Sequence, residues 1–401
     1  MLPFQRSLFP ALLVFAACAE SNPTSTPEGD VFDASVPRGS LTLEQQFGGA
    51  DEREGMLFGT ITHGVLLDDG KVALVDGQAV EIRAYDVDSQ PVASYGGRGE
   101  GPGEFNRIVW LDSSDGSTLV GMDVVGGRMG IFRPGEPPRT RVVGGGALVG
   151  TVAAMDGVLP TGDPVVGATT PEARLTRLPP GEQRDTLRLL RFGAEGTDTL
   201  LQRPDARHWV WSEPPSSGAP KAIFSPEARV TVAGDRVVLA GTHESEWLAL
   251  GPDGTVQDRV TPGIPIAPAT PDDLEQARRR AFESDSAGLV RIARAVRPPI
   301  DVPATLATMR DLWAGMPHHD TLPAIDRMMG DRAGNVWVEQ WAPAGVDSVT
   351  WTRVGSDYEP EVRLVIPADW WVLDAEGDRV LIRFRDELDR FVAQVMRVEG
   401  A

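Results

Sequence analysis

The sequence predicts an all-β fold: a six-bladed β-propeller of four-stranded blades, its ring closed by an N-terminal strand, with one helical insertion. Three observations lead there. The first is punctuation. Turn-forming pairs recur at Asp69-Gly70, Asp115-Gly116, Asp156-Gly157, Gly234-Asp235, Ala333-Gly334 and Glu376-Gly377, with successive glycines 46, 41, 77, 100 and 43 residues apart. Gly and Asp supply the positive φ and the side-chain-to-backbone hydrogen bonds that tight hairpins need. The second is composition. Gly 44 and Pro 33 make up about a fifth of 401 residues, which favours short strands joined by turns over a helical bundle. The third is a strand count. The last unit stops one strand short, while 41–47 has the fourth-strand pattern and no blade of its own. Pairing the two closes the ring and removes two exposed edges.

The chain opens with Arg6 and then an apolar run over 7–17, which is too short to span a bilayer and reads as a signal peptide over 1–17. The single cysteine, Cys18, follows Phe15-Ala16-Ala17. That arrangement resembles the lipobox of bacterial lipoproteins and implies lipidation at Cys18, with plain secretion as the alternative. Ala19 after the cysteine implies, by the same resemblance, sorting to the outer membrane, facing the periplasm. Residues 18–40 are rich in Ser, Thr, Pro, Gly and acids and read as a flexible tether. One cysteine allows neither an intrachain disulfide nor a cysteine-based zinc cluster.

From 41 to 401 the units follow one another. The first reads as strands at 64–67, 71–75, 80–85 and 91–95, and the fourth as 228–232, 236–240, 246–250 and 255–260. The last has strands at 370–373, 379–384 and 391–398. In the third unit 158–170 makes a poor second strand, and Pro-rich loops are expected near 171–184 and 203–225. Four-stranded units repeated at this period are propeller blades. The interval of 100 residues holds an insertion over 264–321. Thr270 reads as a helix N-cap, with Pro271 first and Asp272-Asp273 in the first turn. Leu274, Ala277 and Ala281 share a face. Further helices are expected at 287–295 and 304–314.

The stretch Tyr95-Gly-Gly-Arg98-Gly-Glu-Gly-Pro-Gly-Glu-Phe105, with Met122-Asp123, Arg128 and Ile131-Phe132 after it, resembles the inter-blade loop and blade of NHL-type propellers. The whole of 41–401 resembles six-bladed β-propeller lipoproteins of bacteria (NHL/TolB-like), supported by 323–326, 331–338 and the terminal 385–398. These motifs are structural, so the resemblance implies a scaffold and not an activity. Gly97, Gly99, Gly101 and Gly103 do not spell a phosphate-binding fingerprint, and they lie between strands rather than before a helix. A tight blade-to-blade connection plugged by Phe105 is the expectation.

Function has to be sought in loops. Connections between strands 4 and 1, and between strands 2 and 3, emerge on one face of a propeller, so the glycine-rich loop and the insertion decorate the same face. Candidate binding residues there are Arg98, Asp76, Asp123, His243, Trp341 and the Arg278-Arg279-Arg280 spot. Asp76 and Asp123 end second strands, where the commoner use is a hydrogen bond to a neighbouring loop. Trp247, Trp337, Trp351, Trp370 and Trp371 read as core, whereas Trp341 lies just past a second strand. His63, His208 and His243 are scattered, and His318-His319-Asp320 reads as a polar loop rather than a metal site. No G-x-S-x-G or H-E-x-x-H occurs, and neither a cofactor nor a metal is expected. Lys+Arg 38 against Asp+Glu 58 gives a net charge of −20, which excludes nucleic acid as a partner. The membrane enters only through the lipid on Cys18. The sequence therefore points to an envelope protein that binds an envelope protein or a small ligand on its loop-rich face, without evident catalysis. The alternative is a propeller enzyme of NHL-like lyase or hydrolase type. A convergent His/Asp/Glu set of shifted pKa around the channel would favour that enzyme. An Arg-rich or apolar patch on the insertion would favour a protein partner.

Overall fold

The computed structural model describes residues 36–51, 53–123, 127–143, 152–170, 180–194, 196–210, 220–293 and 301–400. The signal peptide, Cys18 and most of the tether lie outside the described residues. The strands are β1 (Ser40–Gly48), then β2 (Ile61–Leu66), β3 (Val72–Asp76), β4 (Glu81–Tyr85) and β5 (Pro91–Gly96) in blade one, and β6 (Trp110–Asp112), β7 (Leu119–Asp123), β8 (Arg128–Phe132) and β9 (Arg139–Val142) in blade two. Blade three is β10 (Val152–Val158), β11 (Pro164–Thr170), β12 (Gly181–Gly193) and β13 (Gly196–Val210). Blade four is β14 (Ala228–Ala233), β15 (Arg236–Gly241), β16 (Trp247–Leu250) and β17 (Val256–Val260). The helices α1 (Pro271–Ala293) and α2 (Val302–Ala314) follow. Blade five is β18 (Ile325–Gly330), β19 (Val336–Gln340), β20 (Ser348–Val354) and β21 (Pro360–Pro367), and blade six is β22 (Trp371–Glu376), β23 (Arg379–Arg385) and β24 (Phe391–Glu399).

Each blade is a four-stranded antiparallel sheet in simple up-and-down order, and blade six takes β1 as its outer strand. Leu41 faces Val398 and Phe47 faces Ala393, so the ring closes as the strand count requires. The described residues begin before β1, inside the expected tether. Val36 is buried, its carbonyl takes a hydrogen bond from Arg363 Nε, and Gly39 N–H donates to the Arg363 carbonyl. An apolar side chain that the edge of blade five can cover is enough to pull this segment down.

Six apolar clusters fill the six seams between neighbouring blades. The seam of blades one and two, for example, holds Val75, Ile82, Phe105, Leu119 and Phe132. That of blades six and one holds Phe47, Leu74, Tyr85, Leu381 and Val395. Phe105 is 1% exposed, so the glycine-rich loop is the plugged connection the sequence implies. Its turns are held by Gly101 N–H on Glu104 Oε2 (2.7 Å) and by Arg128 donating to the carbonyls of Glu100 (2.8 Å) and Gly99 (3.1 Å).

Three expectations need correction. The first turn of blade three is not Asp156-Gly157. It lies at 159–163, where Gly162 N–H donates to the Leu159 carbonyl and Leu159 N–H to that of Asp163. Gly162-Asp163 offers the same turn chemistry, while Gly157 serves inside β10, where an added Cβ would lie 2.6 Å from Val232 Cβ. The weak second strand is sound, being β11, and strands take in 181–184 and 203–210 of the expected Pro-rich loops, of which 171–179 and 211–219 lie outside the described residues. β12 and β13 run long, and the register shift between Arg184 and Thr186 lets Pro204 sit beside a break in the ladder. The insertion's first two helices are one. Gly288 does not interrupt α1, since a single helical glycine costs only ~1 kcal/mol.

The start of α1 is as expected. Asp273 N–H donates to Thr270 Oγ1 (3.2 Å) while Thr270 N–H donates to Asp273 Oδ2 (2.9 Å), a reciprocal cap. The insertion rests on the tall β12–β13 hairpin and its neighbours through Trp209, Ile223, Trp313, Met316 and Phe282.

Candidate functional site

The innermost strands β2, β6, β10, β14, β18 and β22 contact one another around the axis in cyclic order. They enclose a channel. Its upper part is a cavity of about 350 Å³ to which all six contribute, among them Thr62, Trp110, Met155, Val230, Met329 and Trp371. Below it the channel narrows to about 30 Å³. Arg332 crosses that end, donating to the Leu66 carbonyl (2.9 Å) and Asp68 Oδ1 (3.1 Å) and lying 3.4 Å from Glu376 Oε2, and a further cavity of about 350 Å³ lies beyond it among the first turns of the blades. The upper cavity lies at the starts of the innermost strands, on the face that carries the insertion and the glycine-rich loop.

Inner strands bulge where they meet the channel. Register shifts fall between Ile61 and Gly64, Met155 and Gly157, Ile325 and Arg327, and Val372 and Asp374. Bulges re-aim side chains, and these turn His63, Asp156, Arg327 and Asp374 into the lining.

Two of the three channel aspartates have structural work. Asp374 Oδ2 accepts from Leu66 N–H (2.6 Å) across the seam of blades six and one, and Asp112 Oδ2 accepts from Val158 N–H (3.0 Å) across that of blades two and three. The same clamp recurs between blades four and five, where Thr231 Oγ1 accepts from Gly330 N–H (2.7 Å). Burial pushes the Asp112 carboxyl up to about 6 and those of Asp374 and Asp156 well above the usual range. Asp156 Oδ2 is buried without a partner.

Above this acidic floor the mouth is basic and aromatic. Arg327 pairs with Glu339 Oε2 and lies 3.9 Å from the centroid of the Trp371 ring, with Trp351 beneath it at 4.9 Å. Arg383 donates to the Ile61 carbonyl (2.5 Å) and sits 5.6 Å from the Trp371 ring. Its pKa is lowered, first by burial and then by Arg327 and Arg385. His63 is pushed down to about 4, mostly by burial and then by the charges of Arg383 and Arg107, so its imidazole is neutral. His63 Nδ1 is buried without a partner. Trp371 is 48% exposed. It is a mouth residue and not core, unlike Trp247, Trp337 and Trp351.

The structure disperses the sequence candidates. Asp76 accepts the amides of Gly59 (3.2 Å), Gln78 (3.0 Å) and Ala79 (3.2 Å) and pairs with Arg83 (3.2 Å). Asp123, fully buried, accepts Asn106 N–H at 2.7 Å and lies 3.8 Å from Arg128. Both tie a 4-to-1 loop to a blade. Arg98 is exposed on the glycine-rich loop. His243 lies tilted against His319 with centroids 4.3 Å apart, its Nδ1 2.9 Å from Thr242 Oγ1 and its Nε2 3.1 Å from the Thr321 carbonyl. Burial and then His319 push its pKa down to about 4. Trp341 makes an edge contact with Phe224, centroids 5.7 Å apart. The arginine spot is split. Arg278 donates to the Met316 carbonyl (3.0 Å), Arg280 reaches the Ala344 carbonyl, and Arg279 is exposed. Among the described residues no three His, Cys, Asp or Glu side chains gather as a metal cluster.

The site that sequence reasoning missed is the ring of first-strand residues. A faint signal exists in Trp110-Leu-Asp112 and Trp371-Val-Leu-Asp374, an aromatic followed by an acid at the start of a unit. The bulge makes the two spacings unequal and hides the match.

No family model matches the chain, and no curated protein matches it. Among solved structures it is similar to a member of the DUF4221 family from Bacteroides vulgatus, at 10% identity and TM-score 0.46, covering 91% of this chain and 99% of that one. It is also similar to the aldose sugar dehydrogenase of Streptomyces coelicolor in its PQQ-bound form (10%, TM-score 0.40, 91% and 100%) and to virginiamycin B lyase of Staphylococcus aureus (12%, TM-score 0.37, 89% and 99%). Similarity this distant says nothing of activity, substrate or partner.

Proposed function

We propose that this six-bladed propeller is a cell-envelope protein, anchored by a lipid on Cys18, that binds a small ligand in the mouth of its axial channel. The observation that carries the reading is the upper cavity. About 350 Å³ in volume and lined by all six innermost strands, it is a concave, preformed site with convergent polar groups. The anchor and the periplasmic, outer-membrane address rest on the N-terminal sequence alone. A protein partner on the insertion is the weaker choice. Arg278 and Arg280 spend themselves on internal carbonyls, and the apolar face of α1 is packed beneath.

The enzyme reading keeps one observation in its favour. His63 and three aspartates of shifted pKa do converge on the channel. Two of those aspartates are occupied by cross-seam amides, however, and burial is the largest cause of their shifts.

The test is a thermal-shift screen of the mature chain against small envelope metabolites, with each hit repeated on Trp371→Ala. A ligand at a hundred times its Kd stabilises by about 2.7 kcal/mol. Hits that vanish in Trp371→Ala support the channel. Hits indifferent to it, or none at all, overturn the site.

A further inference from the structure

We propose that the channel mouth takes its ligand by an anionic group, a carboxylate or a phosphate, held between the guanidinium of Arg383 and the imidazole of His63, beside Trp371. This rests on the channel being the binding site.

The argument starts from charge. On a chain of net charge −20, the mouth is the exception. Arg383 and Arg327 share the cavity, with Arg107 near enough to act on His63. Arg327 is neutralised by Glu339. Arg383 has no carboxylate partner among the described residues. A part-buried guanidinium beside another cation is costly unless a counter-charge arrives. Its fork matches a carboxylate or phosphate in two-point contact. Arg383 fixes one Nη1 hydrogen on the Ile61 carbonyl (2.5 Å), which aims the guanidinium while its other hydrogens remain.

In its Nδ1–H tautomer His63 supplies a second donor. A neutral imidazole carries one N–H, and its Nδ1 is buried with no hydrogen-bond partner among the described residues. A hydrogen-bonding atom left so in a cavity wall is one that a ligand satisfies. A cationic ligand would meet the arginines first. The acids that would welcome it lie deeper, with Asp374 and Asp112 turned to amides. A neutral sugar would suit Trp371 but would leave Arg383 uncompensated.

The experiment uses the mature chain carrying Cys18→Ser, with ¹³C-labelled histidine. The His63 signal, assigned with His63→Gln, is followed by NMR while inorganic phosphate, succinate or glucose is added at constant ionic strength in NaCl. The expected result is a saturable shift of His63 with phosphate, succinate or both, and a His63 pKa that climbs from about 4 as the anion fills the site. Phosphate and succinate acting differently names the source of the anion. Arg383→Gln should weaken binding roughly ten- to a hundred-fold, the range for losing a charged hydrogen bond. Arg107→Gln, on the exposed rim, should weaken it less and serves as the second variant if Arg383→Gln does not fold. Anion binding that survives Arg383→Gln unchanged overturns the proposal, as does a His63 signal that neither anion moves. If glucose or another neutral hit from the screen shifts His63 while the anions do not, the channel stands and the anion falls. If nothing shifts His63 and no compound stabilises the chain, both fall.

Discussion

Asp374 Oδ2 accepts the backbone N–H of Leu66 at 2.6 Å, so a side chain from the last blade holds the first strand of the first blade. Together with Asp112 on Val158 and Thr231 on Gly330, it clamps three alternate seams of the ring. In Asp374→Ala the Leu66 amide loses its acceptor inside the protein, at a cost of about 1–3 kcal/mol. Asp374→Asn keeps an acceptor carbonyl and removes the ionisable proton. Urea unfolding at pH 7 should show the alanine variant destabilised and the asparagine variant close to wild type. Equal losses in both would mean that the charge, and not the clamp, matters.

Asp112 makes the pH argument quantitative. Its carboxyl titrates at about 6 in the folded chain against 3.8 unfolded, chiefly through burial. Between those values the folded state holds the extra proton, so this group's contribution to stability falls as pH rises from 3.8 to about 6 and then levels. The window is worth roughly 3 kcal/mol. His63 acts in the opposite sense. With a folded pKa of about 4 against 6.5, its contribution grows as pH rises through that range and is complete above it. The two partly cancel in the wild type. The measurement is therefore the difference between wild type and Asp112→Asn across pH 4 to 7. That difference should move in favour of the asparagine variant from pH 4 to about 6 and then level, and a flat difference would refute the assignment.

The anchor is testable without the channel. Cells given radiolabelled palmitate should label the wild-type chain, which should fractionate with membranes. Cys18→Ala should take up no label and should appear in the soluble fraction or remain unprocessed. A labelled Cys18→Ala chain would end the lipoprotein reading.

The blades were legible because their signals are local. Gly234 takes φ 57° and Gly377 φ 58°, each opening a two-residue turn where a hairpin favours glycine. The closing strand was legible because an unpaired strand at one end and a missing one at the other leave a single solution. Asp156-Gly157 misled because a glycine that permits close approach to Val232 looks, in sequence, like a glycine that permits a turn. The mouth stayed hidden for a different reason. His63, Arg327, Trp371 and Arg383 come from blades one, five and six and meet only when the ring closes. Two of them, His63 and Arg327, lie at bulges that no periodicity announces. The acids that sequence did single out, Asp76 and Asp123, are spent on loop amides.

Phe105 offers the most direct check that the glycine-rich loop is a structural plug. Its ring enters the seam of blades one and two and lies against Phe132 with centroids 5.9 Å apart. Two glycines make room for it. A Cβ added at Gly130 would stand 2.7 Å from Phe105 Cζ, and one at Gly121 would stand 3.2 Å away. Phe105→Ala removes a fully buried aromatic from a seam whose walls are sheets and cannot collapse, so it should cost about 3–5 kcal/mol. Gly130→Ala should destabilise too, from the opposite cause, because the ring has no second place to go. The two costs should not add. With the Phe105 ring gone, the Gly130 methyl loses its closest clash and keeps only the tighter-than-usual contact with Phe132 at 3.0 Å, so the Phe105→Ala/Gly130→Ala double variant should be more stable than the sum of the single losses predicts. Strict additivity in urea unfolding would show that the ring and the glycine do not meet. A Phe105→Ala chain as stable as wild type would return the loop to the candidates for a surface function.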